Sequence, residues 1–216
     1  MVKYLSKSVS QSYSAQKLLA ICGIVGPILY AIVVITVGFL RPNYNPITQP
    51  MSELGEVGGP NSIVMNIAGF IMLGLLMVAF AFGLHRGISE GKGSKIGPAL
   101  IVIAGAGSVA IGIFSYDPSC LTICPRIIMH VISVMVLGIG MAVAPFAIAN
   151  RLKHDQRWRG YRFYSLATGV LTVIVGFVFF SNTIEGWMGL LQRIALGVPL
   201  LWIEVMAIKL LRLSTR

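Results

Sequence analysis

The chain has 216 residues, of which 56% are hydrophobic and 11% are charged, and its mean hydropathy is +0.84. Soluble domains carry about 25% charged residues, so this composition excludes an ordinary soluble protein and indicates a membrane protein. The formal net charge is +10 at pH 7. The 24 glycines and 10 prolines show no Gly-X-Y period, which excludes collagen, and both residues are commoner in membrane helices than in soluble ones.

Five stretches without charged residues, and a sixth that is as long and apolar but contains two charged residues, predict an all-α protein with six transmembrane helices. Crossing the hydrocarbon layer takes about 20 apolar residues, which each stretch supplies. The predicted helices cover, in chain order, residues 18–40, 63–84, 97–115, 127–149, 163–181 and 187–208. The last helix carries Gln192, Arg193 and Glu204, whose polar groups are costly in a membrane and therefore indicate a partner or a function. Because no repeat or linker divides the chain, residues 1–216 are expected to form one domain.

The positions of the basic residues predict the orientation of these helices. Fourteen of the 17 Lys and Arg residues fall in segments that six helices would place on one side of the membrane. These residues are Lys3, Lys7, Lys17, Arg86, Lys92, Lys95, Arg151, Lys153, Arg157, Arg159, Arg162, Lys209, Arg212 and Arg216. Only Arg41, Arg126 and Arg193 fall at or near the other side. Since positively charged segments stay inside, we expect a multi-pass protein of the cell membrane with both termini cytoplasmic.

The same basic residues bear on the partners of the protein. Their charge is expected to attract the anionic headgroups of membrane lipids. A nucleic-acid partner is not expected, because no basic patch outside the membrane is interleaved with aromatic residues on which bases could stack.

Small residues spaced four apart predict close contacts between helices, since lipid removes the hydrophobic drive for helix association. The stripes are Ala104, Ser108 and Gly112; Gly138 and Ala142; Gly140 and Ala144; Thr168, Thr172 and Gly176; and Gly189, Arg193 and Gly197. The stripe with Arg193 is expected to pack inward. Its simplest interpretation pairs Arg193 with an acidic residue of an outer loop.

Polar residues suited to binding or chemistry collect on the predicted outer side. The longest outer loop runs from Arg41 to Ser62, and its prolines and glycines predict an ordered segment that folds as a lid. Within it, residues Thr48–Leu54 are predicted to form a short helix that Gly55 ends. The candidate ligand-binding residues of the outer side are Ser52, Glu53, Asp117, His130, Gln192 and Arg193.

Cys120 and Cys124 have three interpretations. With Asp117 and His130 they offer the ligand types that zinc takes, and a zinc enzyme needs three protein ligands and a water molecule. A single C-x3-C pair lacks the second pair of the usual metal pattern, so no metal site is expected. The alternatives are a disulfide, which a non-cytoplasmic loop allows, and two free thiols. No cofactor is expected, because no pair of histidines falls within the helix bundle to hold a haem.

The preferred functional hypothesis is a protein that binds or transports a small molecule or lipid through an outward-facing polar pocket. In this hypothesis Arg193 pairs with an anionic group of the ligand. Glu53, Asp117 and His130 fix the orientation of that group.

Two other hypotheses stay open. An interfacial enzyme acting on a lipid headgroup would use Asp117 and His130 as an acid/base pair, with Ser52 or Cys120 as the nucleophile. An accessory subunit of a larger membrane complex would use its small-residue faces against a membrane-protein partner or in a homo-oligomer.

Several short motifs resemble those of a known family. They are P-N-Y-N-P at Pro42–Pro46, S-E-L-G at Ser52–Gly55, N-x-x-G at Asn66–Gly69, G-I-F-S-Y-D at Gly112–Asp117, the following His130, and G-L-L-Q-R at Gly189–Arg193. With them, nearly the whole chain resembles the family known as domain of unknown function 998. The resemblance implies a polytopic membrane protein of about six helices and brings no established activity. The polar positions that it implies match Ser52, Glu53, Asp117, His130 and Arg193.

Overall fold

A computed structural model describes residues 2–89, 94–120, 124–181 and 184–215, with side chains from Ser14 onward. Its long helices are α1 (Val2–Leu40), α2 (Ser62–Gly87), α3 (Ile96–Ile113), α4 (Pro125–Leu152), α5 (Tyr161–Ser181) and α6 (Met188–Ser214). Two short 3₁₀ helices cover Met51–Gly55 and Gln156–Trp158. Each long helix contains a segment that is long and apolar enough to cross a membrane, which confirms the predicted all-helical, six-span fold.

The six helices form a closed ring. Each helix packs against the next one along the chain, and α6 returns to pack against α1. Because the number of spans is even, the start of α1 and the end of α6 lie at the same end of the ring. At this end α1 is bonded to α2, since Gln16 Nε2 donates a hydrogen bond of 2.7 Å to the Gly83 carbonyl. We call this the basic end, since it also carries residues 151–160. The opposite end carries residues 41–61, which we call the plug.

The first helix begins earlier than predicted. It starts at Val2 rather than at residue 18, because residues 2–17 contain neither glycine nor proline and the backbone bonds of a helix do not stop at the first charge. Charge-free stretches therefore identify the most apolar part of a helix and not the residues at which it begins and ends. The sixth helix likewise ends at Ser214 rather than at residue 208.

A π-helical segment, Met65–Ile71, interrupts α2 and was not predicted. Wider turns of this kind release backbone groups from the regular pattern and often occur at functional sites. Here the Ser108 hydroxyl of α3 donates a hydrogen bond of 2.8 Å to the Phe70 carbonyl. The segment therefore joins α2 to α3 through a polar contact within the ring.

Only some of the predicted small-residue stripes form close helix contacts. A Cβ atom added to Gly140 would lie 3.0 Å from the Leu100 carbonyl, so α4 and α3 approach closely there. Gly138 and Gly176 behave differently. An added Cβ would be 3.9 Å from the Phe180 ring at Gly138 and would have no neighbour within 4 Å at Gly176. These two glycines border open space.

Arg151 joins the connections at the basic end. Its guanidinium is buried and donates hydrogen bonds of 2.8, 3.0 and 2.9 Å to the carbonyls of His85, Ser89 and Ser94, and a further one to Ile88. The sequence placed Arg151 among the charges that set topology. Its contacts add a structural role, because one fork-shaped cation satisfies several carbonyls at the end of α2.

Asp155 makes a second link at the basic end. Its carboxylate accepts hydrogen bonds of 3.0 Å from both the backbone nitrogen and the hydroxyl of Ser89, and Arg157 lies 2.7 Å away in an ion pair. The hydrogen bonds from Arg157, together with those from Ser89, hold the pKa of Asp155 well below its ordinary value. The ionised carboxylate therefore contributes to the stability of the fold.

The contact between α2 and α3 predicts the effect of one added methyl group. A Cβ on Gly74 would lie 2.3 Å from the Gly105 carbonyl, so Gly74→Ala should destabilise the protein by about 1–3 kcal/mol. Gly176→Ala adds the same methyl where no atom lies within 4 Å and should leave the melting temperature unchanged or raise it. Thermal unfolding in detergent, followed by circular dichroism, compares the two; equal melting temperatures would contradict the close packing.

The Asp155 link predicts a pH dependence. Since the folded pKa lies below the unfolded one, the stabilisation is present above the ordinary aspartate pKa of about 3.9 and is lost as the pH falls through the folded value. Asp155→Asn should therefore lower the melting temperature at pH 7, and its difference from wild type should shrink below about pH 4. Asp117→Asn, at a surface carboxylate bonded to Ser119, is the matched control and should have a smaller effect. A pH-independent difference would refute the role of the Asp155 charge.

Candidate functional site

The plug closes one end of the helix ring. Its 3₁₀ helix, Met51–Gly55, inserts between the helices and buries Met51 and Leu54. This helix is shorter than the predicted Thr48–Leu54, because proline disfavours helical geometry in the residue before it, and Pro50 thereby prevents Gln49 from joining the helix. The expectation of an ordered, lid-like segment agrees with this arrangement.

Arg193 holds the first half of the plug against α6. Its Nη1 donates hydrogen bonds of 2.7 and 3.3 Å to the carbonyls of Pro46 and Gln49, and its Nη2 donates one of 2.7 Å to the Tyr44 hydroxyl. In the part of the chain that the structure describes, no carboxylate pairs with this guanidinium. The acidic partner expected for Arg193 is replaced by carbonyl oxygens, which carry enough partial negative charge to accept from a cation.

Tyr44 extends this contact into the plug. Its hydroxyl accepts from Arg193 and donates toward the carbonyls of Gln49 and Pro50, at 3.0 and 3.1 Å. Burial raises the pKa of Tyr44 above its ordinary value, although the hydrogen bond from Arg193 opposes the shift. The hydroxyl therefore keeps the proton that it needs to donate.

The start of α6 supports the plug at three further points. Gln192 Oε1 accepts a hydrogen bond of 2.5 Å from the Met51 backbone nitrogen, and the Leu190 nitrogen donates one of 2.9 Å to the Ile47 carbonyl. A Cβ on Gly189 would lie 2.2 Å from the Gln49 carbonyl, so only glycine lets the plug approach this closely. Gly189, predicted to pack against a helix, packs against the plug instead.

The second half of the plug is held by α2 and the loop after α3. Asn66 Nδ2, in the π-helical segment, donates hydrogen bonds of 2.8 Å to the Gly55 carbonyl and 2.9 Å to the Ser115 hydroxyl. The Val57 nitrogen donates one of 2.9 Å to the Tyr116 carbonyl. Asn66 of the π-helical segment thus attaches the plug to α2.

Ser52 and Glu53 lie on the plug but differ in their surroundings. Ser52 faces the interior of the ring, where it lines a cavity. The Glu53 carboxylate accepts a hydrogen bond of 2.8 Å from Gln49 Nε2, and its carbonyl accepts one from Arg41. Arg41 also forms an ion pair of 2.6 Å with Glu56. Glu53 therefore stabilises the fold of the plug.

Asp117 and His130 do not form the hydrogen-bonded pair that acid/base chemistry would use. The Asp117 carboxylate lies at the surface and accepts from the Ser119 nitrogen and hydroxyl at 3.0 and 2.6 Å; the hydrogen bond from the Ser119 hydroxyl lowers its pKa. His130 is buried, its Nδ1 lies 2.8 Å from the Phe114 carbonyl, and its ring packs edge-on against Tyr116. His130 instead lies against the end of α3, and Asp117 stabilises a turn in the loop that follows.

Cys120 and Cys124 form a disulfide, with sulfurs 2.11 Å apart. Of the interpretations left open by the sequence, the structure thus contains the disulfide. Bonded sulfurs cannot act as thiolate ligands, which removes them from a zinc site with Asp117 and His130. Within the described ranges no group of three or more His, Cys, Asp or Glu residues is placed to hold a metal ion.

A cavity of about 260 Å³ lies inside the ring beneath the plug. All six helices and the plug contribute to its wall, which includes Tyr30, Met51, Ser52, Phe70, Ile111, Met135, Gly138, Ile139, Ala142, Thr172, Val173, Gly176, Phe180, Gln192, Leu196 and Pro199. No side chain in its wall is charged. Of the six predicted site residues, Ser52 and Gln192 line this cavity.

The central cavity reaches the outer surface of the ring between α4 and α5. Ile139, Val173 and Phe180 line it, yet they are 57%, 49% and 51% exposed on the outside of the ring. Gly138 and Gly176, which border open space, lie in the same opening. Their missing side chains leave the gap between the two helices.

Arg193 borders a separate groove of about 440 Å³ between α1 and α6, which Glu204 also lines. Tyr30, Met51 and Leu196 form the wall shared by the groove and the central cavity. The predicted residues are therefore divided: two line the cavity, Arg193 lines the groove, and Glu53, Asp117 and His130 line neither.

Sequence reasoning missed the apolar residues that enclose the cavity. Tyr30, Phe70 and Met51 read as ordinary core residues because their types and spacing match those of any membrane helix. Gly138 and Gly176 belong to predicted small-residue stripes, but such a stripe cannot distinguish a helix contact from a gap. Only the positions of neighbouring helices separate these two cases.

The plug contacts predict that Arg193→Ala frees the plug. Several hydrogen bonds to a charged donor are lost, so amide hydrogens of the plug should exchange with deuterium about tenfold faster or more. Arg126→Ala, which removes an exposed cation at the same end, should leave exchange in the plug unchanged. Mass spectrometry of the 41–61 peptides measures both variants; equal exchange rates would show that Arg193 does not anchor the plug.

Residues 24–209 match the model of the family described as "Protein of unknown function (DUF998)". Comparison with curated proteins and with solved structures found no match. The matched range runs from within α1 to within α6 and includes the plug, both cavity-lining candidates and Arg193. The protein is therefore a multi-pass membrane protein that belongs to the DUF998 family.

Proposed function

We propose that the protein binds a small apolar molecule, or one hydrocarbon chain of a lipid, in the cavity beneath the plug. The observation that carries this proposal is the sideways opening of the cavity between α4 and α5. In a membrane this opening would face hydrocarbon, so an apolar molecule could enter without crossing water.

The chemistry of the wall favours a neutral ligand. No charged side chain lines the cavity, and an unpaired charge would be costly in such a place. Three of its polar groups already have partners: the Tyr30 hydroxyl donates to Met51 sulfur, Thr172 donates to the Thr168 carbonyl, and Gln192 accepts from Met51. The Ser52 hydroxyl and the Gln192 amide nitrogen are left to meet one small polar group on the plug side.

The size of the cavity limits the ligand. Pockets for drug-sized molecules span about 300–1,000 Å³, and 260 Å³ falls just below that range. A short molecule or a segment of one chain fits better than a whole lipid. The ligand expected from the sequence, an anion paired with Arg193, has less support because hydrogen bonds to the plug occupy this guanidinium.

The other functions raised by the sequence have less support than binding. Transport needs a path toward the basic end, whereas the cavity lies in the half of the ring next to the plug. Catalysis by Asp117 and His130 would need both beside the bound molecule, and neither lines the cavity or the groove. An accessory role would depend on a partner surface that no described contact identifies.

Filling the opening tests the proposal. Gly176→Leu places a side chain where no atom lies within 4 Å, so it should close the opening and leave the fold intact. Gly197→Leu is the matched control: it also enters open space on a membrane helix, but it lines the α1–α6 groove. Native mass spectrometry of protein released from nanodiscs of host membrane lipids should find a retained apolar molecule on wild type and on the control, and about tenfold less on Gly176→Leu.

Two outcomes would overturn the proposal. Wild-type protein that retains no molecule would leave the cavity without a ligand. Loss of the retained molecule from Gly197→Leu, with Gly176→Leu unaffected, would move the binding site to the groove between α1 and α6. Melting curves of both variants show whether either substitution acts through unfolding.

A further inference from the structure

A third cavity lies at the basic end, opposite the plug and independent of the proposed ligand site. It measures about 500 Å³ and is open to solvent, between the connection that follows α4 and the start of α5. Its wall includes Lys153, Asp155, Trp158, Arg159, Arg162 and Phe163. Trp158 is fully buried and its Nε1 donates to the Gly87 carbonyl at 3.3 Å, which gives the cavity a fixed floor.

The cavity carries an excess of positive charge. Lys153, Arg159 and Arg162 line it and are exposed, and none of them forms an ion pair with a carboxylate in the ranges that the structure describes. The one acidic residue in the wall is Asp155, whose carboxylate is already bonded to Ser89 and Arg157. Three cations are thus available to an anion from outside.

An apolar residue stands beside these cations. Phe163 is 72% exposed, and the guanidinium carbon of Arg162 lies 5.8 Å from the centre of its ring. Phe163 lies in the first turn of α5, where the span begins. An exposed apolar ring at the start of a membrane span would meet lipid chains close to their headgroups, so the cavity combines a cationic wall with a contact for a lipid chain.

We propose that this cavity binds the phosphate group of an anionic phospholipid. Arg159, Arg162 and Lys153 would pair with the phosphate oxygens, and Phe163 would contact the upper part of an acyl chain. Guanidinium groups suit this role because their fork geometry donates two parallel hydrogen bonds to one phosphate. A free phosphate would use the same cations but would gain nothing from Phe163, which is why the lipid is favoured.

A charge-matched comparison tests the site. Lys153→Gln/Arg159→Gln/Arg162→Gln removes three cations from the cavity, and Arg86→Gln/Lys95→Gln/Arg212→Gln removes three exposed cations elsewhere at the same end. Each full-length protein is placed in nanodiscs of equal parts phosphatidylglycerol and phosphatidylcholine. Native mass spectrometry then counts the lipids that stay bound.

The expected result separates the cavity from general surface charge. Wild type and the control variant should retain phosphatidylglycerol over phosphatidylcholine, and the cavity variant should lose this preference by about tenfold or more. Equal losses in both variants, or no loss in either, would overturn the proposal. Should the triple cavity variant melt below wild type, the single Arg159→Gln variant with Arg86→Gln as its control makes the same comparison.

A second arm separates the lipid from a free anion. Inorganic phosphate is added to each protein in a neutral detergent, and the melting temperature is measured. A cavity that takes free phosphate would stabilise wild type but not the cavity variant under these conditions, without a preference for phosphatidylglycerol in the nanodiscs. That combination would overturn the lipid assignment.

Discussion

The hydrogen bonds between Arg193 and the plug are the interaction on which one half of the molecule depends. The Arg193 guanidinium, near the start of α6, donates to two plug carbonyls and to the Tyr44 hydroxyl. These few hydrogen bonds to a charged donor hold the plug over one end of the ring. With that half in place, Met51 can reach Gln192 and Gly55 can reach Asn66. The plug forms the wall of the central cavity at its own end of the ring, and without the plug the cavity would be open there.

This arrangement changes how the polar residues at the plug end are understood. Charged and amide side chains within a membrane protein suggest a ligand, yet here most of them satisfy backbone groups of an irregular segment that lies beside the helices. Arg193 and Asn66 hold the plug, Glu53 stabilises its fold, and His130 lies against the carbonyl of Phe114 at the end of α3. The space that they leave below is apolar, which is why a neutral ligand from the membrane suits it better than an anion from water.

Helix packing obeys a second constraint, since lipid provides no hydrophobic drive and helices gain only by close contact. Gly74 and Gly105 provide such a contact between α2 and α3, while Gly138 and Gly176 leave a gap between α4 and α5. The same residue type thus closes one side of the ring and opens another. At the basic end, hydrogen bonds of Arg151 and Asp155 hold the connections between helices together. Lys153, Arg159 and Arg162, which form no ion pair in the described ranges, line the cavity next to Phe163.

The amino-acid sequence is sufficient to predict the six helices, because membrane spans need long apolar stretches and every backbone group in them must be bonded within the helix. It also identified the plug as an ordered segment and named Ser52 and Gln192, which do line the cavity. It could not assign Arg193 to plug carbonyls rather than to an acid, nor separate the glycines that pack from those that border space. Both depend on which atoms from distant parts of the chain come within a few ångströms, and spacing along one helix carries no information about the helix or loop opposite. The packing of the helices against one another and against the plug makes the polar residues stabilise the plug and lets apolar residues from all six helices enclose the cavity.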